Sequence, residues 1–383
     1  MKTYLFITDT NFESGKLTGG HKRLLELVKG LSRNSYVIVI SRKIPQLLNW
    51  EYMNNIEFIY VNGNRKKWLP YHLNALVKLT RELKKRKTEL QYDYAVAFGA
   101  NYALAYKLAG YKHIVSLFRE DLLGYMEAIG ASRLKKIYLG IQEKKAVASS
   151  DKIIVQCIND KKNLIKRTQK RERNVSDKVF IQINNANASW MQTGKIEHKI
   201  SNDRKVIILF IGGFSDRRKG HSVLLPAVAK LLDHNYKVKL FIAGDGVELD
   251  TYKEKYQGYE DLIFLGRVSN ISYYLSMADF TVVPSLIDSC PNTVLESLNA
   301  GIAVYGANTG GIPDLLVEDK FLFEPDSDNI YSFLKNIIAN ERYKADAIEQ
   351  MKRKNDLTFD WSACIQNIIE DRDRQEKYPD RKH

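Results

Sequence analysis

The chain has 383 residues, 44% of them hydrophobic, which is long and apolar enough for two cores, and its three scattered cysteines (Cys157, Cys290, Cys364) exclude a disulfide framework or CxxC zinc site. No 18 apolar residues stand together, and the start, MKTYLFITDTNF, carries Asp9 and Glu13 behind a short apolar run with no cleavage site, so an exported or membrane-spanning chain is not expected. The net charge of +14 is lopsided: residues 1–190 carry 34 Lys and Arg against 16 Asp and Glu, the remainder 25 against 29, so a polyanionic partner of the first half is expected.

Short runs rich in β-branched and aromatic residues alternate with stretches of helical period, the pattern of parallel sheets built from βαβ units. In the first half this predicts strands near 3–8, 36–41, 57–61, 93–98, 113–118 and 152–157. The second half repeats the plan with KVIILFI (205–211), KVKLFIA (237–243), LIFLG (262–266), DFTVVPS (279–285) and IAVYG (302–306). The polar stretch from Asn184 to Arg204 shows neither period and marks a boundary. Two doubly wound α/β domains follow, 1–187 and 205–355, with an amphipathic helix and tail over 356–383 that could cross back to the first. Each sheet offers ligands the crevice beyond its strand C-termini, and two sheets facing a central cleft would share one site.

The most specific segment is ADFTVVPSLIDSCPNTVLESLNAG, residues 278–301. A buried strand runs into a short loop, Pro291 stands where a first helical residue would, and Ala300-Gly301 supplies the stop. Free N–H groups at the helix start, around Asn292, Thr293 and Val294, make an anion site for which diphosphate is the natural occupant. Glu296, about a turn and a half into the helix, leans back toward that site and can accept hydrogen bonds from ribose hydroxyls. Asp288, eight residues earlier, can face the same ligand.

This segment resembles the donor-binding signature of the family-4 retaining glycosyltransferases, two acidic residues eight apart around a Gly- or Pro-containing loop. The first acid there is usually Glu and here is Asp288, one methylene shorter; the resemblance implies that it contacts the donor sugar and that Glu296 holds the ribose. FIGGFSDRRKGH (210–221) resembles the family's glycine-then-basic loop, in which Lys219 matches the family lysine. Gly213 stands where the family arginine is common, so Arg218 or Arg217 is expected to supply the second positive charge on the diphosphate. AGDG (243–246), with Gly244, and GRVS (266–269), with Val268, resemble loops that line the nucleotide, and ANTGGIPDLL (307–316) a Gly-Gly turn before a helix. In the first half, GKLTGGHKRLLELVKGL places Gly19-Gly20 in a loop that the resemblance brings to the donor from the other side. The family histidine after the strand HIVSLFRED is absent, leaving Arg119 as the acceptor-side candidate, while His113 reads as structural.

The resemblance implies a B-type fold of two Rossmann-like domains and transfer of a sugar, with retention, from a nucleotide diphosphate donor, UDP by frequency within the family. The acceptor would be a hydroxyl on a cell-surface glycan, a lipid-linked saccharide or a protein. No cofactor or metal is expected, because fixed positive charge would serve the leaving diphosphate; Asp326-Ser-Asp328 reads as a turn and N-cap. The basic runs 81–87, 133–145 and 161–173, interspersed with Leu, Ile and Tyr, suggest a cytoplasmic enzyme docking on an anionic membrane surface. Two other readings are an inactive relative that partners an active transferase, and a nucleic-acid binder, for which no motif is present.

Overall fold

The computed structural model describes residues 1–8, 19–41, 55–61, 71–99, 102–169, 175–188, 191, 205–215 and 217–372. Residues 189–190 and 192–204 of the expected boundary, 170–173 of the third basic run and the tail from 373 lie outside them. The described chain divides into two units. Residues up to Leu123, Ala131–Ile183 and the stretch from Asp360 on form one, while Gly124–Gly130 and Asn184–Phe359 form the other.

The first unit is built on seven parallel strands: β1 (Thr3–Ile7), β2 (Tyr36–Ser41), β3 (Ile56–Tyr60), β4 (Tyr94–Phe98), β5 (Ile114–Leu117), β6 (Lys152–Val155) and β7 (Val179–Ile181). Their order is β3-β2-β1-β4-β5-β6-β7, with the chain reversing direction across the sheet between β1 and β4. Continuous apolar runs such as Tyr4, Leu5, Phe6 and Ile7, all fully buried, are what a strand covered on both faces requires. The helix Trp361–Glu370 packs here too, against the helix Gly19–Leu31, with Trp361, Ile365, Ile368 and Ile369 buried.

The second unit has six parallel strands: β8 (Val206–Ile211), β9 (Val238–Ala243), β10 (Leu262–Gly266), β11 (Phe280–Val283), β12 (Ala303–Ala307) and β13 (Leu322–Phe323). Their order, β10-β9-β8-β11-β12-β13, repeats that of the first six strands of the other sheet. Its switch point lies between β8 and β11, where parallel α/β sheets open a crevice at the strand C-termini. Asp326 caps the helix Ser327–Ala339 by accepting from the Asn329 N–H at 2.9 Å, as its spacing predicts. The strands β7 and β13 are additions to the expected set, each too short to show a period of its own.

Candidate functional site

Two loops leave the second sheet at its switch point. The first follows β8, runs through Gly212–Ser215 and ends in a single 3-10 turn, Arg217–Lys219, before the helix His221–Asp233. The second follows β11 and runs from Pro284 to Pro291, ahead of the helix Asn292–Ala300. Their backbones touch. The Leu286 N–H donates to the Arg218 carbonyl at 2.7 Å, and Gly220, with φ +80°, lies so close to Pro284 that a Cβ would sit 1.9 Å from its carbonyl oxygen. Only glycine meets both demands.

This contact brings together two candidates that stand 69 residues apart. Lys219 Nζ donates to Asp288 Oδ2 at 2.6 Å, with the lysine side chain 24% and the aspartate 11% exposed. Asp288 is itself held from behind: the Gly311 N–H donates to its carbonyl at 2.8 Å, and the Thr309 hydroxyl donates to the Ser285 carbonyl at 2.7 Å. The Gly-Gly turn at 310–311 thus serves as a backstop for the acidic loop.

The two arginines part company. Arg217 projects into solvent and pairs with Glu248 at 2.8 Å, whereas Arg218 is half-buried with its guanidinium carbon 5.4 Å from the centre of the Tyr125 ring. Arg218 is therefore the arginine placed on the inner side of the turn. Tyr125 lies in Gly124–Gly130, the segment that belongs to the second unit although it sits inside the first half of the sequence, so no local pattern could have paired them. His221 is a second unanticipated member. Its ring lies 4.0 Å from that of Phe214, and its Nε2 is 3.1 Å from the Gly212 carbonyl oxygen, which pins the glycine loop. The signal was its place directly after Gly220.

At the helix start one expectation needs correcting. Pro291 is the cap residue rather than the first helical residue, and the Val294 N–H is already donated to the Pro291 carbonyl at 3.1 Å. Val294 is also fully buried, whereas Asn292 and Thr293 are half-buried residues. Glu296 is half-buried in the second turn. Of the other lining loops, Gly244 donates its N–H to the Gly266 carbonyl at 2.8 Å, Gly213 is half-buried after β8, and Val268 is half-buried beyond β10. Among the described residues no group of three or more His, Cys, Asp or Glu could hold a metal ion.

In the first unit Gly20 and Arg119 are neighbours. A Cβ on Gly20 would lie 1.8 Å from an Arg119 guanidinium nitrogen, and that guanidinium stacks 4.8 Å above the Phe98 ring at the end of β4. Gly19 opens the helix Gly19–Leu31. Arg119 is exposed and follows β5, so the helix start at Gly19 and Gly20, the Phe98 ring and the guanidinium lie together at the C-terminal ends of the strands. Two residues on, the buried Asp121 accepts from Arg167 at 2.8 Å, and Arg167 also binds Glu143 at 2.7 Å. His113 is exposed with φ +52° ahead of β5.

The two sheets share one Rossmann-like strand order, and the second carries Lys219, Arg218 and Asp288 on the loops at its switch point. Residues 205–340 match the family model described as Glycosyl transferases group 1, and the two-sheet architecture is the B-type glycosyltransferase fold. Among curated relatives, the N-acetyl-alpha-D-glucosaminyl L-malate synthase of Bacillus anthracis is 26% identical over 304 residues, 76% of each chain. An uncharacterized glycosyltransferase of Methanocaldococcus jannaschii is 23% identical over 368 residues, 90% of this chain and 91% of that one, while two other alignments span only 42% and 33% of the relative's own length. Among solved structures, a sucrose-phosphate synthase from Thermosynechococcus elongatus superposes with a TM-score of 0.75 at 16% identity, covering 97% of this chain and 99% of that one. Anabaena Alr3699/HepE in complex with UDP-glucose superposes with a TM-score of 0.68 at 17% identity, over 97% and 99% of the two chains.

Proposed function

We propose that the protein is a retaining glycosyltransferase that moves a sugar from a UDP-sugar donor to a hydroxyl of a glycan, lipid-linked or protein acceptor. The observation that carries this reading is the Lys219–Asp288 pair across the two switch-point loops, with Arg218 on the same turn. A nucleoside diphosphate in that crevice would meet Lys219, Arg218 and the helix start at Asn292 and Thr293. Lys219 would exchange its internal partner for phosphate and release the Asp288 carboxylate toward the sugar hydroxyls, while Glu296 accepts from the ribose. The complex of Alr3699/HepE with UDP-glucose supports the choice of donor class.

For transfer with retention, the bond from the anomeric carbon to the diphosphate oxygen lengthens first, and negative charge grows on the leaving group. Lys219, Arg218 and the helix start at Asn292 supply fixed positive potential where that charge develops, which is the term that most lowers such barriers. The acceptor oxygen then bonds the anomeric carbon on the same face, and its proton passes to the departing phosphate oxygen. These steps call on no metal, so turnover is expected to survive EDTA. The first unit receives the acceptor, with Arg119 beside Gly19 and Gly20 as the polar group offered to it.

A thermal-shift panel of UDP, GDP and ADP against wild type and Glu296→Ala tests the donor site, because a ligand of the folded state raises its apparent stability. UDP is expected to stabilise wild type and to do so far less in the variant. No shift from any nucleotide would overturn this reading in favour of an inactive partner protein, for which the shortened Asp288 is the residue to re-examine.

A further inference from the structure

Of the three basic runs in the first half, the structure singles out one. In the helix Tyr71–Arg86, Leu83 is buried, and Lys85 and Arg86 reach back to Glu82. In the helix Ile158–Thr168, Leu164 and Thr168 are buried, and Arg167 is committed to Asp121 and Glu143. The helix Arg133–Ser149 differs because it is apolar on two faces. Its inner face buries Leu139, Ala146 and Val147. Its outer face presents Leu134 at 81%, Ile137 at 51% and Ile141 at 47% exposure.

At about 100° per residue, these three fall within roughly 60° of one another around the helix. The exposed Ala148 continues the row. On the same wheel Arg133 and Lys144 border it on one side and Lys145 on the other, while Lys135 and Lys136 complete five cations. The helix's one acid, Glu143, is turned inward onto Arg167. Single exposed aliphatic residues are ordinary on a protein surface, but an aligned row of three rimmed by like charge is not.

We propose that this outer face docks on an anionic lipid bilayer, inserting Leu134, Ile137 and Ile141 at the level of the headgroups while Arg133, Lys144 and Lys145 contact lipid phosphates. Charge complementarity selects the occupant. Cations on both flanks attract an anionic surface, and shallow apolar insertion retains it, the two-signal combination that stable peripheral binding needs. The row is one helix wide and convex, far smaller than the ~1,600 Å² of a standard protein interface, which argues against a second copy or a protein partner. The inference does not rest on the transferase reading.

Sedimentation of the full chain with vesicles of phosphatidylcholine, alone or mixed with phosphatidylglycerol, tests it. Wild type is expected to bind the mixed vesicles and ignore the neutral ones. Leu134→Ser/Ile137→Ser/Ile141→Ser should weaken binding by about tenfold or more while melting at the wild-type temperature. Lys144→Glu/Lys145→Glu should weaken it independently and lessen its salt dependence. Equal sedimentation of the triple-serine variant and wild type would overturn the proposal, as would wild type that ignores the anionic vesicles. So would a self-association of wild type that the triple substitution abolishes, since the face would then be covered by a second copy. UDP-induced stabilisation, measured on the same samples, reports the donor site separately.

Discussion

Lys219 and Arg217 are two residues apart on one turn, yet their environments give them opposite weight. Lys219 is mostly buried against Asp288, whereas the Arg217 side chain is 72% exposed and its partner Glu248 is 29% exposed. An exposed pair is worth about 0–1 kcal/mol and contributes little fixed potential at a distance. Removing a preorganised charge from a developing anion typically costs two to three orders of magnitude in rate. Lys219→Ala is therefore expected to lower kcat/KM for sugar transfer by about 10²–10³, and Arg217→Ala by less than about threefold, in a donor-release assay. Equal effects would show that the turn acts by bulk charge and that the pairing with Asp288 is incidental.

At the scale of elements, the three-way contact among Asp121, Arg167 and Glu143 ties the segment behind Arg119 to the helices Arg133–Ser149 and Ile158–Thr168. Asp121 is 1% exposed, Glu143 10% and Arg167 25%. Arg167→Met would leave two carboxylates facing each other without their cation, and removing one partner of a buried pair costs about 3–5 kcal/mol, which urea unfolding would read. Burial outweighs Arg167 and holds the Glu143 carboxyl above its ordinary value, with Asp121 adding to the rise. A raised folded value means that the native state binds the proton more tightly than the unfolded chain. The resulting stability is present in full below the ordinary carboxylate pKa and is lost as pH rises through the folded one. Glu143→Gln should flatten stability across that window.

None of this network could be read from the sequence, because its members lie 24 and 46 residues apart with no motif around them. Long apolar runs made eleven of the thirteen strands among the described residues legible, since a strand buried on both faces must be continuously hydrophobic. Strands β7 and β13, three and two residues long, have no room for such a signal. The two switch-point loops were legible where residue chemistry is local, as in Lys219-Gly220 or Asp288 to Glu296. Their meeting at 2.6 Å, the Tyr125 ring under Arg218 and the capture of the Val294 amide by Pro291 depend on tertiary geometry.

At the scale of the whole molecule, the chain begins in the first unit and returns to it. Beyond Phe359, the helix Trp361–Glu370 lies on Gly19–Leu31, with Ile365 and Ile369 essentially inaccessible and Arg23 stacked 5.7 Å above Trp361. Its last turn is tied down from two directions. Lys152 donates to the Ile368 and Ile369 carbonyls, each at 2.8 Å, capping orphan acceptors of the helix end, and Tyr4 on β1 donates to Glu370. Burial and the Glu370 carboxylate push the Tyr4 hydroxyl far above its ordinary range, so it stays a donor at any physiological pH. Four buried apolar side chains at about 1.5–3 kcal/mol each rival the ~5–15 kcal/mol that stabilises a typical domain. A chain ending at Phe359 should therefore lose the cooperative unfolding transition of its first unit, seen by calorimetry and by proteolysis within residues 71–169. The second unit, whose core Asn184–Phe359 is intact, should keep its transition and its stabilisation by UDP. If the first-unit transition survived the truncation, the returning helix would be an accessory rather than a layer of that unit's core.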